Sequence, residues 1–162
     1  MDIVFMIVVV SDTVFQDRSR DVSGVKAAEA IRSKGYKVYD IVYIPNSFKE
    51  IVRVIMNMLS EVDVAVFIGG TGPSPRDITV DVLESMAWRK LPGFGELFRR
   101  ISYEIEGAKA ILSRAEMYIS PEGTILVALP GAPKAVEIGL NILFNVVEHL
   151  VKEVRRFEGP HE

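Results

Sequence analysis

Cysteine is absent from the 162 residues, which removes disulfides, thiolate zinc sites and cysteine nucleophiles together. Histidine occurs only at His149 and His161, both near the end of the chain, so imidazole chemistry is not expected to carry the function. No apolar run approaches the about 20 residues that a bilayer-spanning helix needs. The apolar N-terminal stretch, residues 3–10, lacks a basic leader and a small-residue cleavage site, and reads as a buried strand of a cytoplasmic protein. The 19 basic residues are scattered rather than clustered and the net charge is −3, so neither nucleic acid nor a membrane is an expected partner. Repeats, linkers and low-complexity segments are missing as well. One domain over residues 1–157, followed by a polar, frayed tail over 158–162, is the expected organisation.

What the chain does have is a dense turn at its centre, Gly69-Gly70-Thr71-Gly72-Pro73-Ser74-Pro75-Arg76-Asp77, directly after an apolar run and directly before a helical pattern starting near Thr79. Three glycines within four positions let backbone N–H groups approach an anion without Cβ interference, and a following helix start adds a positive dipole end. Arg76 and Asp77 place a fork-shaped cation and a carboxylate at the rim, as a nucleotide or phosphorylated metabolite with a divalent cation requires. An ordinary surface turn, with Asp77 capping the next helix, accounts for the same residues. The stretch is not a P-loop, because Gly-Lys-Ser/Thr is missing, and it has no third glycine at the Rossmann spacing.

Around this turn the chain reads as alternating strands and helices. Residues 3–10 are apolar on both faces, as a central parallel strand covered on each side must be, and end in Ser11-Asp12-Thr13. Open α/β sheets bind ligands beyond the carboxyl ends of their strands, although Ser11 or Asp12 tying down a turn explains these polar residues equally. A polar loop over 14–20 leads to a helix ending near residue 33, with Asp21 or Ser23 as its N-cap. A strand over 37–44 and the turn Pro45-Asn46-Ser47 precede an amphipathic helix over 48–60. Residues 63–68 give the third strand, and 79–87 a helix. Pro92-Gly93-Phe94-Gly95-Glu96 then launches a helix to about 106, followed by a short helix over 107–113. Strands over 115–119 and 124–129 are joined by Pro121-Glu122-Gly123. Pro130-Gly131-Ala132-Pro133-Lys134 is a second strand–loop–helix junction, with Pro133 at a plausible first helical position. One long helix is expected over 133–156, with Val136, Leu140, Leu143, Val147 and Leu150 on one stripe. Parallel neighbouring strands with right-handed crossovers would bring the three junctions to one sheet edge and one pocket.

Taken together, Ser11-Asp12-Thr13, Asp21-x-Ser23-Gly24, the Gly69 to Asp77 turn with Thr79, Pro92-Gly93-Phe94-Gly95-Glu96, Ser102-Tyr103, Leu112-Ser113-Arg114 and Leu129-Pro130-Gly131-x-Pro133-Lys134 resemble the MoaB and MogA family of molybdenum cofactor biosynthesis proteins. The match runs through effectively the whole chain, with the motifs in family order. The resemblance implies an α/β three-layer sandwich with a mainly parallel sheet, a trimer or hexamer, and adenylylation of molybdopterin by ATP with Mg²⁺. A contact with the pathway's metal-insertion protein is implied too. Substrates would be held by Ser11, Asp12, Thr13, Asp21 and Ser23, by Gly69, Gly70, Thr71, Gly72, Arg76 and Thr79, by Ser102, and by Pro130, Gly131, Ala132, Pro133 and Lys134. Asp77 matches the acidic residue that the family needs, and is expected to hold or orient the magnesium while Arg76 or Lys134 offsets phosphate charge. One position departs: Ile44-Pro45-Asn46 stands where the adenylyltransferases commonly have Ile/Val-Pro-Asp, and a neutral Asn46 binds Mg²⁺ less strongly than a carboxylate. Two other readings stay open: a molybdopterin-binding or carrier protein without efficient catalysis, and a related domain as found in competence-damage proteins and nucleotide pyrophosphatases. Molybdenum and tungsten pathways fit the sequence equally.

Overall fold

β-branched and aromatic residues in unbroken runs favour strands, and strands covered on both faces have no need to alternate with polar residues. In the computed structural model, which describes residues 2–157 and residue 159, the order is β1 (Val4–Val10), α1 (Asp12–Gln16), α2 (Ser23–Ser33), β2 (Lys37–Ile44), α3 (Phe48–Met58), β3 (Val64–Ile68), α4 (Thr79–Met86), β4 (Arg89–Lys90), α5 (Pro92–Glu106), β5 (Glu116–Ile119), β6 (Ile125–Leu129), α6 (Pro133–Phe144) and α7 (Val147–Val154). The six strands form one sheet in the order β2-β1-β3-β6-β5-β4. The first four are mutually parallel; β5 runs antiparallel to β6, and β4 antiparallel to β5.

The strands' period of two sorts their side chains into two cores. Phe5, Ile7 and Val9 of β1, Val64, Val66 and Ile68 of β3, and Ile125, Val127 and Leu129 of β6 pack with residues of α2, α5, α6 and α7. The intervening Met6, Val8, Val10, Ala65, Phe67, Leu126 and Ala128 pack with α3 and α4 on the opposite face. This is the expected α/β three-layer arrangement with a mainly parallel sheet. Among the described residues no helix is long and apolar enough to cross a membrane.

Two local expectations are corrected, and two details are added to the rest. The polar loop over 14–20 contains a helical turn, α1, and a 3₁₀ turn, Arg18–Arg20, because Ser11 Oγ accepts from the Val14 N–H at 3.2 Å and Asp17 Oδ1 accepts from the Ser19 N–H at 3.1 Å. The long final helix is two helices. Asn145 ends α6 with its side-chain amide donating back to the Asn141 carbonyl at 2.7 Å, and the break rotates the apolar stripe so that Val147 and Val151 are buried while Leu150 is half-buried. The 107–113 helix is a 3₁₀ helix, Gly107–Leu112. The two-residue strand β4 extends the antiparallel edge of the sheet, with no pattern to announce it. Of the expected frayed tail, only residue 159 lies within the described residues.

Phe67, fully buried on the central strand β3, carries the layer beneath α3 and α4. Phe67→Ala should cost about 3–5 kcal/mol, through lost transfer energy and the cavity left behind. Urea unfolding should show this as a lower midpoint at unchanged slope.

Candidate active site

The parallel register lines up the carboxyl ends of the central strands. Val9 pairs with Ile68, and Ile68 with Leu129, so the segments that follow β1, β3 and β6 leave the sheet side by side. The ladder continues one step beyond β3, where the Gly69 N–H donates to the Leu129 carbonyl at 2.8 Å. Gly69 therefore spends its N–H on the sheet rather than on a ligand. Its φ of 107° and that of Gly70, 70°, lie in the region that glycine enters without strain. A Cβ at Gly69 would overlap the Val10 carbonyl, and one at Gly70 would overlap the Thr79 hydroxyl. Beyond them the N–H groups of Gly70, Thr71 and Gly72 have no acceptor among the described residues, and the same holds for Gly131 and Ala132 in the second loop. Thr71 is buried, so this is the kind of unsatisfied donor that folded proteins seldom leave without a partner.

These loops line two neighbouring hollows of about 390 and 500 Å³. The first is bounded by residues 70–73, by Phe98, Ser102, Ile105, Glu106 and Lys109 on the α5 side, by Leu112 and Ser113, and by Pro130, Gly131, Ala132 and Lys134. The second is bounded by Ser11, Arg20, Asp21, Ser23, Asn46, Gly69 and Pro133. Gly70, Asp77 and Gly131 line both. One cleft is thus divided in two, with a carboxylate at the join.

Supports behind the cleft are specific. Asp21 Oδ1 accepts from the Gly24 N–H at 2.7 Å, which caps α2 from outside, and Asp21 Oδ2 accepts from the Tyr43 hydroxyl at 2.8 Å. Burial first, and then Asp21, push the Tyr43 phenol up to about 12. Ser23, the other expected cap, instead donates its hydroxyl to the Gly131 carbonyl at 2.5 Å and ties α2 to the second loop. Asp77 does not cap α4; its Oδ2 accepts from the Ser74 N–H at 3.1 Å and closes the 74–77 turn. Thr79 is fully buried and lines neither hollow, and its hydroxyl, like Asn46 Oδ1, has no partner among the described residues. Both oxygens lie within 3.3 Å of the point a Gly70 Cβ would occupy.

Several expected ligand groups are engaged elsewhere. Arg76 pairs with Asp12 Oδ2, while Asp12 Oδ1 accepts from the Asn46 N–H at 2.9 Å; neither Asp12 nor Arg76 lines a hollow. The Asn46 N–H, and then Arg76, hold the Asp12 carboxyl below its usual range. Lys134 reaches the first hollow but is exposed and faces Glu137 at 3.4 Å. Thr13 is exposed and lines neither. Sequence reasoning missed Glu106, Lys109, Arg20 and Tyr43, which come from elements far apart in the chain and carry no local spacing signal. It quoted Arg114 only within a motif, although Arg114 bonds to the glycine turn through its main chain and its guanidinium. Among the described residues no cluster of three or more histidines and carboxylates forms a metal cage.

Residues 6–149 match the family described as a probable molybdopterin binding domain. The chain belongs to the MoaB/MogA family. Relatives include a probable molybdopterin adenylyltransferase of Methanocaldococcus jannaschii, 35% identical over 159 residues and 95% of each chain. A molybdopterin adenylyltransferase of Pyrococcus furiosus is 33% identical, covering 93% of this chain and 90% of its own. Among solved structures, the tungsten cofactor synthesizing protein MoaB of Pyrococcus furiosus superposes with a TM-score of 0.89 at 31% identity, over 96% of this chain and 98% of the other. The MoaB/MogA fold thus places its three strand-end loops around the divided cleft described above.

Asp12 and Asp81 both have carboxyls held below the ordinary 3.8, Asp81 by the Arg114 guanidinium. A lowered folded pKa gives stability that is present above 3.8 and lost as pH falls through the folded value. Asp81→Asn should therefore be less stable than wild type at neutral pH, and the gap should close below pH 3.8; urea midpoints taken across this range check it.

Proposed function

We propose that this cleft transfers an adenylyl group from ATP to molybdopterin, releasing pyrophosphate, as a step of molybdenum cofactor biosynthesis. The observation that carries the reading is the division of the cleft into two hollows that meet at Gly70, Asp77 and Gly131, with unsatisfied N–H groups from both loops beside the join. Two phosphate-bearing substrates need such a meeting point, and the relatives named adenylyltransferases support the same reaction. An oxygen of the terminal phosphate of molybdopterin attacks the α-phosphorus of ATP. The new P–O bond forms as the bond from the α-phosphorus to the bridging oxygen breaks, and pyrophosphate leaves with the electron pair. The substrate is its own nucleophile, so no cysteine or histidine is required.

The chain's part is alignment and charge. The N–H groups of residues 70–72 and 131–132 bind phosphate oxygens, and Asp77 acts where the two phosphates approach. Arg76 and Lys134 offset phosphate charge only by exchanging Asp12 and Glu137 for the ligand. Mg²⁺ supplies further charge neutralisation when bound. The residues present fit it: Asp77 and Asn46 line the same hollow, the buried Asn46 Oδ1 has no partner among the described residues, and Mg²⁺ ordinarily takes one or two carboxylates beside substrate phosphates and water. The neutral Asn46 favours one second reading, binding of molybdopterin without efficient transfer.

The active species is a homo-oligomer, a trimer or hexamer, working in the cytoplasm where ATP is supplied and handing its product to a metal-insertion protein. An apolar groove between α5 and α6, lined by Leu97, Ile101, Ile105, Ile138, Ile142 and Val146, supports association between copies. Sedimentation velocity should give three or six chains per particle.

Pyrophosphate release from ATP should depend on molybdopterin, and Asp77→Ala should lower it by about 10²–10³-fold without unfolding the protein. Tight molybdopterin binding with no pyrophosphate from the wild-type protein would replace transfer by the carrier reading.

A further inference from the structure

We propose that Arg114 is a positioning residue for the phosphate-binding turn: from behind the cleft its main-chain N–H holds the Thr71 carbonyl and its guanidinium holds the carbonyls of residues 72 and 77, which together lock the turn with the Gly72 N–H facing the ligand. The inference rests on the reading of that turn as an anion site.

Arg114 lies between the 3₁₀ helix Gly107–Leu112 and β5, and lines neither hollow. Its own N–H donates to the Thr71 carbonyl at 2.8 Å. Its guanidinium then spans the rest of the turn. Nε donates to the Gly72 carbonyl at 3.0 Å, and Nη2 to the Asp77 carbonyl at 2.7 Å. Nη1 and Nη2 grip Asp81 Oδ1 and Oδ2 at 2.8 and 3.0 Å in a bidentate pair on the first turn of α4. One side chain thus engages both ends of the 72–77 segment and the helix that follows.

The geometry of a trans peptide turns these bonds into an orientation. The carbonyl of one residue and the N–H of the next point in opposite directions across the planar unit. With the Thr71 carbonyl held on Arg114, the Gly72 N–H points away from it. The Gly70 carbonyl accepts from the Thr79 N–H at 3.0 Å, which fixes the Thr71 N–H in the same manner. Glycine-rich backbone has many conformations to lose, and a turn free to rotate would bring carbonyl dipoles as readily as N–H dipoles toward a phosphate. The Arg114 main-chain N–H sets the plane of the 71–72 peptide, and its guanidinium sets that of the 72–73 peptide, whose nitrogen belongs to Pro73 and carries no hydrogen; with both planes held Gly72 cannot rotate, and Arg114 stays off the ligand. A lysine carries its three donors on one nitrogen at the end of a flexible stem and cannot span two carbonyls and a carboxylate as the planar guanidinium does.

The test compares wild type, Arg114→Lys and Asp81→Asn, with two readouts besides thermal stability. Inorganic pyrophosphate, with and without Mg²⁺, is titrated calorimetrically well below every melting temperature. Amide hydrogen exchange is followed in the ligand-free protein at Asp77 and Thr79, with Val66 in β3 as the core reference. Arg114→Lys should weaken pyrophosphate by about tenfold or more, the equivalent of one or two lost hydrogen bonds, and speed exchange at Asp77 and Thr79 but not at Val66. Asp81→Asn should fall between the two. Unchanged affinity in Arg114→Lys would overturn the proposal, whether or not the protein melts earlier, because it would leave Arg114 a merely structural role. Unchanged exchange at Asp77 and Thr79 would overturn it independently. Wild-type protein that binds no pyrophosphate would sink the reading of the turn as an anion site, and the exchange measurements would still decide whether Arg114 holds the turn.

Discussion

The parallel pairing of β1, β3 and β6 is the constraint on which the rest depends. Parallel strands send their carboxyl ends to the same edge, and the register makes those ends level, so three loops from distant parts of the chain arrive together. The ladder does not stop at the strand ends, since Gly69 donates to Leu129 and Ser11 to Ile44. The cleft is therefore an extension of the sheet rather than an addition to it. Burial of both sheet faces keeps this platform rigid, because core side chains from β1, β3 and β6 interlock with helices above and below.

Polar groups around the platform divide into those that build the site and those left over for ligands. Asp21, Ser23, Asp12 and Arg76 are held by partners that tie loop to loop, whereas the N–H groups of residues 70–72 and 131–132 have no acceptor among the described residues. This division is what preorganisation requires. In the proposed reaction the groups that would meet phosphate are fixed by others that would not, and fixed dipoles need little rearrangement when charge arrives.

The sheet and most helices were legible in the sequence because strands buried on both sides leave an unmistakable apolar run, and amphipathic helices leave a 3.6-residue stripe. What could not be read depends on single side chains acting locally or at a distance. The caps made by Ser11 and Asp17 create α1 and a 3₁₀ turn from a stretch that looks merely polar, and Asn145 breaks a stripe whose apolar period continues through it. The glycine turn was recognisable from its spacing. Arg76 and Lys134 were expected beside phosphate, and pairing with Asp12 and Glu137 is invisible without the fold. Arg114 shows the limit most plainly, because its partners lie 33 to 43 positions away in a segment that its own neighbours do not resemble.

The near-separation of the two hollows bears on how such a site can change over evolutionary time. Among the described residues only Gly70, Asp77 and Gly131 face both, so if each hollow takes one substrate, as proposed, a substitution among the residues that line just one side would alter the preference for one substrate and leave the other untouched. Two specificities can therefore drift independently on one scaffold. The three shared positions would answer to both substrates at once, so on the same reading a change there could not be confined to one of them.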